Sequence, residues 1–245
     1  GANLQDLILR DSGAAHIFLR DGVGAFVSHQ TLAPDDLKAS AGFGFSIAVD
    51  GATAVIGAPG MDAAYIYDLQ PGGQWTLTQR LNGPLNSNDF GRVVAIKGGV
   101  IFVSDPWFDN PSDSGRVSVF QRDNAGVWNE TQRIASTVPQ SKMLLGWSLK
   151  VFDTKAYIGA IRRNAEGRQG AVYEFTREEG GLWVEGQEIL APHFDGIHDD
   201  SQFANHLDVD GDTMVVGQHL FGHAAAAPEY HSNQGAAHVF RRVPG

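Results

Sequence analysis

The sequence predicts an all-β protein built from repeated strand units, and three observations predict it. A six-residue strand pattern ending in an aromatic recurs five times: GAAHIF (13–18), DAAYIY (62–67), GRVSVF (115–120), GAVYEF (170–175) and GAAHVF (235–240). The residues that follow keep fixed spacing. An aromatic stands eight positions on (Phe26, Trp75, Trp128, Trp183), then a glutamine (Gln30, Gln79, Gln132, Gln187), then an aliphatic (Leu32, Leu81, Ile134, Ile189). Upstream runs a second ladder, Phe43-Gly44, Phe90-Gly91, Leu145-Gly146 and Phe203-Ala204. Fourteen residues after each aromatic or leucine of that ladder lies Gly57, Ser104, Gly159 or Gly217. Constant offsets inside units of 47 to 58 residues mark a repeat architecture.

The second unit shows the elements in order. FGFSIAVD (43–50) alternates and ends at Asp50-Gly51, a hairpin-turn pair. ATAVIGAP (52–59) is a short apolar run, as a buried strand requires. DAAYIYDL (62–69) alternates again and is broken by Pro71-Gly72-Gly73. QWTLTQRL (74–81) alternates polar and apolar, as a half-exposed outer strand does. The third and fourth units repeat the series. Four antiparallel strands per unit, with no helix-period segment of useful length, predict the blades of a β-propeller.

The Gly of Phe-Gly is expected to let innermost strands approach closely at the axis. Trp75, Trp128 and Trp183 are expected between neighbouring blades, where a large ring contributes buried area. The units run approximately 6–32, 43–81, 90–134, 145–190 and 203–242, within one domain of 245 residues. The first has a third and fourth strand, with DLILR (6–10) as a second, and the last lacks a fourth strand. Five blades are expected, with four blades, or a fragment of a larger propeller, as the alternatives.

Composition narrows the partners. A net charge of −10 argues against a nucleic-acid backbone as ligand, which needs clustered Lys and Arg. Cysteine is absent, so no disulfide framework is present. No apolar run approaches the ~18 residues of a membrane span.

FGFSIAVDGATAVIGAP followed by AAYIY, and LDVDGDTMVVGQ followed by GAAHVF, resemble FG-GAP repeats, as found in integrin α-subunit propellers and bacterial secreted and surface proteins. The bacterial form is the nearer one. The resemblance implies a propeller, and a secreted, periplasmic or cell-surface location in a bacterium. It also raises a Ca2+ loop between second and third strands, from which this chain departs. Gly60-Met61-Asp62 is too short, DPWFDNPSDSG (105–115) is acidic but wrongly spaced, and RRNAEGRQ (162–169) is basic. Asp208, Asp210 and Asp212 fall on a hairpin, where Asp-Gly is turn chemistry.

Function is expected on the propeller face that carries the long loops, 33–42, 82–89, 105–114, 135–144, 161–169, 191–202 and 218–234. Trp107, Phe108, Phe194, Phe221 and Tyr230 offer stacking surfaces there, and Arg162 and Arg163 polar contacts, for a glycan or protein ligand. Seven of the nine histidines lie between 193 and 238. His198, His219, His223 and His231 are candidate ligands for a divalent transition metal, although no His-x-x-x-His or His-Glu-x-x-His helix accompanies them. His206 and His238 fall on strands and are expected to be tied into the sheet. No nucleophile elbow or phosphate loop is present, so no catalytic residue is named. The expected function is a non-enzymatic binding or adhesion module recognising a glycan or protein. The alternative is a metal-dependent hydrolase or lyase using the His-rich loops.

Overall fold

The computed structural model describes residues 10–108, 113–162, 170–191, 202–219 and 235–242. Among these the chain is all-β apart from one 3-10 turn, Pro59–Met61. Seventeen strands form five antiparallel sheets in chain order. The first is β1 (Ala15–Arg20) with β2 (Phe26–Leu32). The second is β3 (Ile47–Asp50), β4 (Thr53–Ala58), β5 (Ala63–Leu69) and β6 (Trp75–Asn82). The third is β7 (Val94–Lys97), β8 (Val100–Asp105), β9 (Arg116–Arg122) and β10 (Trp128–Ile134). The fourth is β11 (Leu145–Val151), β12 (Lys155–Ala160), β13 (Ala171–Arg177) and β14 (Trp183–Leu190). The fifth is β15 (Phe203–Asp210), β16 (Thr213–Gln218) and β17 (Ala236–Arg241). These are the successive blades of a β-propeller. Among the described residues the first sheet has two strands and the last three, and no strand of one pairs with the other. Residues 6–9 of the expected first-unit strand lie outside the described residues.

Sheet register follows from local chemistry. Asp50 pairs with Thr53 across a two-residue turn in which Gly51 takes φ 58°, a conformation a β-branched residue resists. At the other end of a blade, the Asp21 carboxylate accepts from the N–H of Val23 and Ala25, each at 2.9 Å. Asp123 does the same for Ala125 and Val127. A side chain that hydrogen-bonds its own backbone fixes the turn and with it the pairing of the flanking strands.

One boundary differs from the expected 43–50. The regular part of β3 begins at Ile47, because Gly44 N donates to Gly57 O and Gly57 N donates to Ser46 O. Two residues therefore face one, which is a β-bulge. Gly44 sits at φ 90° and Gly91 at φ 94° to make it. The close approach expected at these glycines is present, but toward the preceding blade. A Cβ on Gly91 would stand 2.2 Å from Ala63 O. The same bulge in the fourth unit shifts the register between Leu145 and Ser148.

The core is divided into four layers, each between consecutive sheets. Trp75 packs with Ala15 and Leu32 of the first sheet. Trp128 packs with Val55 and Ile66 of the second. Trp183 meets Phe102 of the third edge-on, with centroids 5.0 Å apart. The three rings are 9%, 4% and 3% exposed, as the sequence predicts for inter-blade aromatics. Phe26, at the same register, is 65% exposed, because no described sheet precedes its own.

Candidate functional site

The bulges aim one residue of each innermost strand at a common space. Phe45, Arg92, Trp147 and Asn205 stand two residues beyond Phe43, Phe90, Leu145 and Phe203. All four line one cleft of about 480 Å³, with Ser46, Ser148, Leu149, His206 and Leu207. That volume suits a small ligand. Four sheets contribute to it, so the propeller scaffold itself sets the geometry.

Arg92 organises the cleft. Its guanidinium carbon lies 4.1 Å from the Trp147 ring centroid and 5.2 Å from that of Phe45. A cation between two rings is stabilised by both quadrupoles, by about 0.5–2 kcal/mol each. Asp89 fixes its far end, with Nη1 to Oδ2 at 2.9 Å. Burial pushes the Asp89 carboxyl above the usual carboxylate range, and the Arg92 charge pulls against it. The pair is locally neutral when ionised, so the cleft offers aromatic faces and hydrogen-bonding groups without a net charge. Ser46 and Ser148 donate to Gly91 O and Ala204 O at 3.0 and 2.8 Å, which ties the innermost strands together beneath the cleft.

Trp107 borders this arrangement: its ring stands edge-on to Trp147 with centroids 6.3 Å apart. The loop that carries it is anchored at Asp105. That buried carboxylate accepts from Ser87 Oγ at 2.8 Å and from Arg116 Nη2 at 3.2 Å. Burial pushes the Asp105 carboxyl up, against the pull of Ser87 and Arg116. The same burial lowers the Arg116 pKa, against the pull of Asp105. Phe108 covers this pair, its ring centroid 3.3 Å from the Arg116 guanidinium carbon. Asp105 is thus held in an internal ion pair at the base of the acidic loop.

The residues singled out in the sequence separate accordingly. Trp107 meets Trp147 edge-on without lining the cleft, and Phe108 faces Arg116. Arg162 follows the fourth sheet's second strand, its N–H donating to Met143 O at 3.2 Å. Arg163, Phe194, Phe221, Tyr230, His198, His223 and His231 lie outside the described residues. His219 is exposed just after β16, and among the described residues no three metal-ligating side chains cluster. Asp208, on β15, pairs with Lys150 on β11 of the preceding sheet. His238 is tied into its sheet as expected, through Gln218 Oε1 at 2.6 Å. His206, expected to be tied likewise, is exposed and lines the cleft.

Phe45, Arg92, Trp147, Asn205 and His206 were not legible as a site from composition or motifs. One signal was available. The first four occupy a single register position, and that position holds four unrelated residue types while the positions around it repeat.

The family model for the FG-GAP repeat matches residues 26–67. No curated protein sequence matches the chain. Several solved structures are similar. One is a protein from Lactobacillus plantarum, at 14% identity and TM-score 0.55, covering 91% of this chain and 65% of that one. Another, from Bacteroides fragilis, is named as a candidate 6-phosphogluconolactonase, at 15% identity and TM-score 0.55, covering 90% and 64%. A third, from Bacteroides uniformis and named likewise, has 13% identity and TM-score 0.54, covering 86% and 60%. Likeness at this identity carries the fold alone. The chain spans less than two thirds of the length of each of these structures.

Proposed function

Starting from a chain that is an FG-GAP-repeat β-propeller, we propose that it is a non-enzymatic binding module that holds a glycan in the axial cleft. The observation that supports this reading is the Phe45–Arg92–Trp147 stack at the mouth of the 480 Å³ cleft. A sugar ring presents an apolar C–H face and a rim of hydroxyls. Trp147 and Phe45 offer flat surfaces for the first, and Asn205, His206 and Ser148 offer donors and acceptors for the second. Asp89 neutralises Arg92 and the chain carries −10 overall, so a neutral glycan suits the cleft better than a polyanionic one. Adhesion and an exported location, secreted, periplasmic or at the cell surface, belong to the same reading.

A glycan array probed with tag-free protein tests it. A neutral glycan retained by the parent protein and lost by Trp147→Ala, with the melting temperature unchanged, is the expected result. A folded Trp147→Ala that binds like the parent overturns it. The metal-dependent enzyme alternative rests on His219 with three histidines outside the described residues. Metal analysis of protein purified without added metal tests that alternative.

A further inference from the structure

The three four-stranded sheets bring one cross-strand pair to the same end of their second and third strands. In the second sheet it is Ala58 with Ala63, and in the fourth Ala160 with Ala171. All four alanines are fully buried. The third sheet departs from this and sets Asp105 opposite Arg116, both buried as well. A buried ion pair is a weak source of stability. Taking two charges out of water costs about as much as their attraction returns. This pair is also incompletely satisfied, since Arg116 Nε is buried without a hydrogen-bond partner among the described residues. Two alanines suffice in the sister sheets, so the charged pair calls for a role other than holding its own blade.

Its contacts lead to the cleft from two sides. Asp105 reaches toward the anchor of Arg92. Its Oδ2 accepts from Ser87 Oγ at 2.8 Å and its Oδ1 from Asn88 N at 3.5 Å. Asp89, next in the chain, holds Arg92 Nη1 at 2.9 Å. The carboxylate that fixes residues 87 and 88 thereby places the carboxylate that fixes Arg92.

Arg116 reaches toward Trp147. Phe108 lies over its guanidinium, and the adjacent Trp107 stands edge-on to Trp147. The backbone supplies a second link. Gly115, beside Arg116, forms a bridge with Leu145. A Cβ on Gly146 would stand 2.9 Å from Ser104 Cβ and 3.2 Å from Arg116 O. The residue before Trp147 therefore rests on the strand ends that carry the pair.

We propose that Asp105 and Arg116 are positioning residues, which hold Arg92 and Trp147 in register with each other at the cleft. Asp105 acts through residues 87–89, and Arg116 through Phe108 and Trp107. Neither lines the cleft itself. Arg92 precedes β7 of the third sheet and Trp147 lies on β11 of the fourth, so pairing within one sheet does not set their spacing. A binding group has to be held to within about 0.5 Å, and the surroundings must do so. This role rests on the reading of the cleft as a binding site.

Replacing one partner alone leaves an uncompensated buried charge, so the test replaces both. Asp105→Ala with Arg116→Ala restores the pair of the sister sheets. Asp105→Leu with Arg116→Met removes the charges and keeps most of the volume. Both double variants should fold, the second melting at or above the temperature of the parent. The first readout is the circular-dichroism couplet of the edge-on indoles Trp107 and Trp147, identified as the signal lost in Trp107→Phe. Each double variant should lose this couplet. Each should also bind the neutral glycan selected by the parent about tenfold less tightly or worse. A folded double variant that keeps the couplet, or that binds the glycan as the parent does, overturns the proposal. Failure of both double variants to fold overturns it as well, since the pair then holds the blade rather than the stack. The couplet needs no ligand. Its loss in a folded double variant, with no glycan selected by the parent, upholds the positioning and overturns the glycan reading alone.

Discussion

The layer between the third and fourth sheets and the layer between the fourth and fifth follow one register but end differently. The first contains Trp183, edge-on to Phe102 and clasped by Gln132. The second has Tyr157 and Gln187 in the corresponding places and a cavity where the ring would be. The difference teaches where a repeat stores its stability. Each layer draws its two halves from different blades, a ring from one and the glutamine that holds its backbone from the other. The same register explains the axial cleft. Positions that face a neighbouring blade repeat, because packing permits few solutions. A position that faces the cleft is free to vary, and there it holds Phe45, Arg92, Trp147 and Asn205.

The largest contrast should come from the rings. Trp128→Ala removes a buried aromatic from a closed layer and should cost about 3–5 kcal/mol in urea denaturation. Trp107→Ala, on a loop at the cleft rim, should cost less than about 1 kcal/mol. Equal losses would break the distinction between layer and cleft.

The glutamines sharpen the comparison. Gln132→Ala strands the N–H and C=O of Trp183 and should cost about 1–3 kcal/mol. Gln187→Ala should change stability by no more than about 0.5 kcal/mol, because its clasp holds nothing within the described chain. A Gln187→Ala loss as large as that of Gln132→Ala would mean that the fourth clasp is filled.

The smallest effect concerns pH. Burial lowers the His238 pKa from its ordinary 6.5. As pH falls the unfolded chain takes up this proton before the folded one does. The stability linked to His238 is therefore present above about pH 6.5 and lost as pH falls through its lower folded value. Urea midpoints between pH 7.5 and 5 should fall less in His238→Gln than in the parent.

Much of the fold was written in the spacing. The offsets from Phe43 to Gly57 and from Tyr67 to Trp75 located the strands and the inter-blade rings, because propeller layers tolerate little variation. The bulge at Gly44–Ser46 was not legible, since it rests on two hydrogen bonds to Gly57 on the paired strand rather than on a local signal. The site was less legible than the fold. Trp107 was found because an aromatic on a loop is conspicuous, and Phe108, equally conspicuous, turned out to face Arg116. Arg92 and Trp147 sit on strands and read as ordinary sheet residues until four blades are brought together around one axis. His206 misled for the same reason, as its strand position says nothing of which side of the blade faces open space.

The central claim is that the repeat register confers stability while a variable position that faces the cleft confers binding. Parallel calorimetric titrations of parent and Trp147→Ala protein, with a neutral glycan selected by the parent on the array, test it most directly. The account predicts a loss of affinity of roughly tenfold or more in Trp147→Ala, with a melting temperature within a degree or two of the parent's. Undiminished affinity in folded Trp147→Ala, or no neutral glycan selected by the parent, would contradict it.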